Sequence, residues 1–174
     1  MRSRKVLFKS SESLRPTLSK TREAIFNVLA GYVDFEHASF LDMFAGSGIM
    51  SFEAVSRGFG EVYAIEANER TCQNIRKNMD ILSVDFTLIK GTVPNILSIS
   101  EFADKSFSVI FADPPYKSNL YNKIIEEMLR KNLLQKGGIL VLESLQNEEI
   151  SPKGLSLLKS KIYSDKLVTF LSNK

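Results

Sequence analysis

The chain has 174 residues, 44% of them hydrophobic and 25% charged, with 23 Lys and Arg against 20 Asp and Glu for a net charge of +3. Such a composition describes one soluble globular domain with room for a proper core, and its mild basicity permits a nucleic-acid partner without requiring one. A single cysteine, Cys72, and a single histidine, His37, exclude an internal disulfide and a Cys/His metal centre, so no metal is expected.

Residues 1–18 show no strong periodicity and carry Arg2, Arg4, Lys5, Lys9 and Arg15 around the short apolar patch Val6-Leu7-Phe8. They read as a basic N-terminal arm, either a solvated tail or a phosphate-contacting segment. No apolar run approaches the length of a signal peptide or a membrane span, so a cytoplasmic protein with no membrane partner is expected. Residues 19–174 read as one domain. Ser19 is a candidate N-cap for a helix over about 20–30, where Ile25, Val28 and Leu29 share a face and Gly31 supplies the stop.

From Ser39 onward short apolar runs alternate with amphipathic segments, the pattern of a mostly parallel sheet covered by helices on both faces. Expected strands lie at 40–44, 61–66, 86–90, 106–112 and 139–143, with helices at about 48–57, 68–82 and 118–131. Pro94 can start a short helix reaching about Phe102. In the helix at 68–82, Cys72, Ile75, Met79 and Leu82 recur at helical spacing, which makes Cys72 a core residue. Beyond Pro152, two apolar runs at 156–163 and 167–172 flank Ser164-Asp165-Lys166 and read as an antiparallel hairpin. The sum is a seven-stranded Rossmann-like α/β sheet, mostly parallel, closed by a C-terminal antiparallel hairpin.

Between the first strand and its helix lies Asp42-Met43-Phe44-Ala45-Gly46-Ser47-Gly48. Two glycines let the backbone pass under a ligand, and the helix N-terminus behind them offers free N–H groups and a positive dipole end. Glu66, at the end of the second strand, occupies the place of an acid that holds ribose hydroxyls. A dinucleotide fingerprint asks for a third glycine where Ser51 stands, and Asp42 would repel a pyrophosphate. The carboxylate would instead welcome a cationic amino-acid head, which points to S-adenosylmethionine. A nicotinamide or flavin enzyme remains a disfavoured alternative.

The fourth strand ends in Asp113-Pro114-Pro115-Tyr116. The prolines lack N–H groups and stiffen the turn, which therefore offers acceptors at the sheet edge where open α/β folds bind ligands. Acceptors suit an amino group, and Tyr116 is a flat ring able to stack on a flipped base.

The order Arg15-Pro16-Thr17, Arg22-Glu23-Ala24-Ile25-Phe26-Asn27, Leu41-Asp42-Met43-Phe44-Ala45-Gly46-Ser47-Gly48 and Asp113-Pro114-Pro115-Tyr116 resembles the methyltransferase D family of bacterial 16S ribosomal RNA. The stretch 53–58 adds to the likeness, which runs from about Arg4 to the C-terminus. The resemblance implies a class I S-adenosylmethionine-dependent methyltransferase acting on the exocyclic N2 of a guanine in small-subunit ribosomal RNA, free or within the assembled subunit, as a monomer. It implies Asp113, Pro114, Pro115 and Tyr116 as catalytic residues. Thr17, Asp42, Phe44, Gly46, Gly48, Glu66 and Thr92 become the cofactor residues, and Arg4, Lys5, Arg15 and Lys117 the RNA contacts. One departure is Gly91-Thr92, where family members commonly carry Gly-Asp; a hydroxyl there accepts one hydrogen bond but brings no charge. The other is an N-terminal hairpin whose beginning is missing. An adenine-N6 DNA methyltransferase of the same fold is the nearest alternative, and a non-catalytic ribosome-assembly or nucleotide-binding protein a further one.

Overall fold

The computed structural model describes residues 15–115 and 120–174, the side chains of 15–18 excepted. Helix α1, Arg15–Leu29, starts four residues before the expected N-cap at Ser19, which lies inside it. The earlier start is compatible with Pro16, because a proline in the first helical turn forfeits no intrahelical bond. Strand β1, Ser39–Asp42, leads through the glycine loop to helix α2, Ile49–Arg57. Gly48, the N-cap of α2, has φ 78°, and a Cβ there would press on Phe52 at 3.1 Å and on Ile75 at 3.3 Å. Strand β2, Glu61–Glu66, is followed by helix α3, Glu69–Leu82, whose Asn68 N-cap accepts the Thr71 N–H at 3.0 Å. Cys72 and Ile75 of α3 are fully buried, as the helical spacing predicts.

After strand β3, Thr87–Lys90, the helix expected from Pro94 is two short 3₁₀ turns, Asn95–Ser98 and Ser100–Phe102, pinned by buried Leu97 and Phe102. Strand β4, Phe107–Ala112, is buried along its whole length, and helix α4, Leu120–Arg130, buries Tyr121, Ile124, Ile125 and Met128. Strand β5 spans Leu134–Leu145, so Gly137-Gly138 lies within the strand rather than before it. Gly137 at φ 76° accommodates the irregularity: opposite β4 the register jumps from Phe107↔Leu134 to Val109↔Ile139. Strands β6, Ser156–Tyr163, and β7, Lys166–Ser172, form the expected hairpin around Ser164 and Asp165.

The seven strands run in the order β3-β2-β1-β4-β5-β7-β6. β1 to β5 are parallel, while β7 enters antiparallel between β5 and β6. The chain winds outward from β1 in one direction and resumes at β4 in the other, so the crevice of this open sheet opens at the carboxyl ends of β1 and β4. One face of the sheet packs on α1, α2 and α3 around Phe26, Phe40, Phe52 and Phe59; the other packs on α4 and the 3₁₀ turns around Phe107, Ile110 and Leu140. Glu53 of α2 ties the first helix down. It accepts Arg22 Nε–H at 3.0 Å and Arg57 Nε–H at 2.8 Å, and Arg57 in turn donates to Asn27 at 3.2 Å. Among the described residues no helix is long and apolar enough to cross a membrane.

Candidate active site

At the carboxyl edge of the sheet a cavity of about 400 Å³ is lined by Phe44 and Gly46 from the glycine loop, Glu66 at the end of β2, Gly91 and Thr92 after β3, and Asp113, Pro114 and Pro115 after β4. The volume is that of a small-molecule site. Thus four separate strand ends, each singled out in the sequence for its own chemistry, converge on one space.

Gly46 has φ 52°, and a Cβ built on it would meet nothing nearer than the Phe44 carbonyl oxygen at 4.0 Å, so open room lies over the loop. Gly48 has no part in the lining; its lack of a side chain serves the packing of Phe52 and Ile75. Glu66 does more than border the cavity. Its Oε2 accepts the Gly46 N–H at 2.8 Å and its Oε1 the Asn68 N–H at 2.7 Å, so one carboxylate clips the glycine loop to the start of α3. Each oxygen keeps a further lone pair. At Gly91 a Cβ would collide with the Ile96 side chain, which explains a glycine beside Thr92.

Asp42, the last residue of β1, is wholly buried and is not among the cavity's lining residues. Its Oδ2 accepts the Ser51 hydroxyl at 2.9 Å, while Oδ1 has no well-formed hydrogen bond among the described residues. Burial pushes its pKa up to about 7 against the opposing pull of Ser51 and the Phe44 amide, with the charges of Asp113 and Glu66 adding to the rise. Ser51 therefore has a positive role where the sequence shows only a missing glycine.

Asp113 follows β4, and its carboxylate faces Lys166 at 3.2 Å from Oδ2 and 3.4 Å from Oδ1. Lys166 also pairs with Glu143 of β5. Burial raises the Asp113 pKa and Lys166 draws it back; burial raises Glu143 too, and the Asp113 charge adds to it. Neither Lys166 nor Glu143 is evident in the sequence. The hairpin brings Lys166 to a carboxylate 53 residues earlier, and nothing local marks the contact. The main chain at Arg15 and Thr17 lies in the first turn of α1, with side chains outside the described set; Arg4, Lys5, Tyr116 and Lys117 lie outside the described residues.

The family described as Conserved hypothetical protein 95 matches residues 1–172. A ribosomal RNA small subunit methyltransferase D from Buchnera aphidicola is 32% identical over 164 residues, covering 93% of this chain and 84% of the relative. Its namesake from Haemophilus influenzae is 31% identical over 163 residues, covering 92% and 83%. The chain belongs to the methyltransferase D family. A solved structure of a putative methyltransferase from Escherichia coli is 25% identical, with a TM-score of 0.81 over 95% of this chain and 90% of that one. The seven-stranded sheet with its inserted antiparallel β7 is therefore the class I methyltransferase fold, and the methyltransferase D cavity sits at its switch point.

Proposed function

We propose that this methyltransferase D family member transfers a methyl group from S-adenosylmethionine to the exocyclic N2 amino group of a guanine in small-subunit ribosomal RNA, acting in the cytoplasm as a monomer. The observation that carries this reading is the shared cavity: the glycine loop and Glu66 border the same space as the Asp113-Pro114-Pro115 turn. A cofactor cradle and a set of acceptors for an amino group are thereby adjacent.

The residues fit the cofactor. A buried Asp42 oxygen without a well-formed hydrogen bond suits an ammonium group or a water that serves one, the space above Gly46 admits a chain of atoms, and Glu66 has lone pairs left for hydroxyls. Thr92 and Val93 offer a hydroxyl and an apolar edge to a base, without the charge of an acid. When bound, S-adenosylmethionine supplies an electrophilic methyl group on a sulfonium.

The chain's own residues must then prepare the nitrogen. The lone pair of guanine N2 is drawn into the ring, so the amino group is a poor nucleophile until it is reoriented. Asp113 and the Pro114 carbonyl accept its two N–H bonds, aim the lone pair, and stabilise positive charge growing on nitrogen. A strong base is unnecessary, because the methylated nitrogen is acidic enough to release its proton to Asp113 or water. Tyr116 stacks on the flipped base, while Arg4, Lys5, Arg15 and Lys117 contact phosphates.

The test is chemical identification of the product. Purified protein is incubated with isotope-labelled S-adenosylmethionine and small-subunit RNA, free or assembled, and the RNA is digested to nucleosides. Labelled N2-methylguanosine is expected. Label on adenine N6, or in DNA in preference to RNA, would replace the guanine reading with its nearest rival.

A further inference from the structure

Asp113 has a dual environment. Its side chain is 33% exposed and lines the cavity, yet its carboxylate is backed by Lys166, 18% exposed, and Lys166 by Glu143, 10% exposed. Only Asp113 of the three reaches the cavity. The ammonium thus contacts the Asp113 carboxylate without lining the cavity itself.

Three strands build this arrangement. Glu143 stands near the end of β5, paired across to Val168 of β7, and Lys166 opens β7 opposite Leu145. Lys166 also faces Tyr163 across the Ser164-Asp165 turn, so the hairpin fixes where its backbone begins. Asp113 comes off the end of β4, parallel neighbour of β5. Two mostly buried carboxylates sharing one ammonium leave a net negative cluster, which is tolerable only while the cation stays between them. Without it the two acids would repel, and one would take up a proton. A protonated Asp113 would lose its charge and turn one of its two acceptor oxygens into an O–H donor.

We propose that Lys166 is a positioning residue for methyl transfer: anchored by Glu143, it holds the Asp113 carboxylate ionised and turned toward the cavity as an acceptor. The inference rests on the assignment of Asp113 as the acceptor of the target amino group. Among the described residues, the charged and titratable groups around Asp113 are Lys166 from β7, Glu143 from β5 and Asp42 from β1, with Asp165 acting on Glu143 and Glu66 on Asp42. All but the substituted ones are common to every variant below, so the comparison of Lys166→Met with Lys166→Arg and wild type isolates the Lys166 contact.

The experiment follows the Asp113 carboxyl directly. The cofactor-free protein, labelled with carbon-13 at aspartate carboxyls, is titrated by NMR, and the Asp113 signal is assigned by its loss in Asp113→Asn. In Lys166→Met the Asp113 midpoint should move up by about one pH unit or more, the effect of removing an opposite charge at this range. Lys166→Arg should restore most of the wild-type midpoint, and Glu143→Gln combined with Lys166→Met should fall between the two, because one repelling carboxylate is gone. The double variant also covers the case in which Lys166→Met fails to fold, since it must still titrate above wild type. Single-turnover methylation at saturating cofactor should show the same displacement, with the acidic limb of the Lys166→Met profile moved upward and activity partly recovered at high pH. A purely structural lysine would lower activity equally at all pH values. An Asp113 midpoint unchanged in Lys166→Met overturns the inference. If instead the midpoint moves but Asp113→Asn and Asp113→Ala methylate at the wild-type rate, the pairing stands, the assignment of Asp113 is wrong, and the positioning role falls with it.

Discussion

Desolvation lifts the Asp42 carboxyl to about 7, so its charge changes close to neutral pH. The folded protein retains this proton where the unfolded chain has lost it. The resulting stabilisation is complete below the ordinary carboxylate range and is lost as pH rises through about 7. Denaturant unfolding at several pH values should show that decline, and Asp42→Asn should flatten it. Cofactor binding should run the other way, because a cationic amino group favours the ionised carboxylate. Affinity for S-adenosylmethionine is expected to rise as pH increases from about 5.5 to 7, by at most tenfold per unit for one proton. Equal slopes in wild type and Asp42→Asn would detach Asp42 from the cofactor. At this scale the sequence reveals groups whose chemistry is local. Gly46, Glu66 and Asp113 can be picked out because a loop, an acid at a strand end and a proline turn each have a short signature. Ser51 and Lys166 cannot, since their meaning lies in partners that only the fold supplies.

Helix α1 illustrates how an element depends on another for its position. Glu53 of α2 holds Arg22 of α1 and Arg57 of its own helix, and Arg57 Cζ sits 5.8 Å from the Phe26 ring centroid. Because Glu53 is only 19% exposed, its loss takes a mostly buried carboxylate from two guanidinium groups, leaving Arg57 with Asn27 and Arg22 with Ser19. Glu53→Ala should lower stability by about 1–3 kcal/mol, a drop in Tm of roughly 2–4 °C per kcal/mol for a chain of this size. A Tm within a degree of wild type would show that the aromatic packing alone fixes α1. Apolar periodicity makes the existence and kind of α3 and α4 legible, because each buries one stripe, while α2 is marked by the glycines at its two ends. It is weaker at boundaries: α1 starts before Ser19 because Pro16 fits a first turn, and β5 runs through Gly137-Gly138 because a bulge absorbs them. The two 3₁₀ turns after Pro94 are too short for a periodic signal, and only the apolar anchors Leu97 and Phe102 hint at them.

For the molecule as a whole, a ligand that binds only the folded state adds its binding free energy to stability, and the proposed site places that ligand on the loop that Glu66 clips. At a concentration about 100 times its Kd, S-adenosylmethionine should stabilise the fold by about 2.7 kcal/mol and raise Tm by roughly 5–10 °C. NAD should leave Tm unchanged, and Glu66→Ala should abolish most of the rise due to S-adenosylmethionine. An equal response to NAD would return the glycine loop to the dinucleotide reading. The alternation of strands and helices makes the parallel sheet legible in the sequence, and the spacing of the last two apolar runs makes the hairpin legible. The insertion of β7 between β5 and β6 is a matter of register between distant segments, and that insertion brings Lys166 to Asp113.

The most direct test of guanine methylation through an Asp113 acceptor is single-turnover transfer to small-subunit ribosomal RNA by Asp113→Asn and Asp113→Ala, each verified to fold and to bind S-adenosylmethionine within a few-fold of wild type. Asn should keep part of the activity, because an amide oxygen still accepts an N–H, while Ala should lose on the order of 10²–10³ in rate. An Asn variant as inactive as Ala would mean that the carboxylate charge or its proton acceptance, rather than orientation of the amino group, drives the reaction. A fully active Ala variant would contradict the central claim outright.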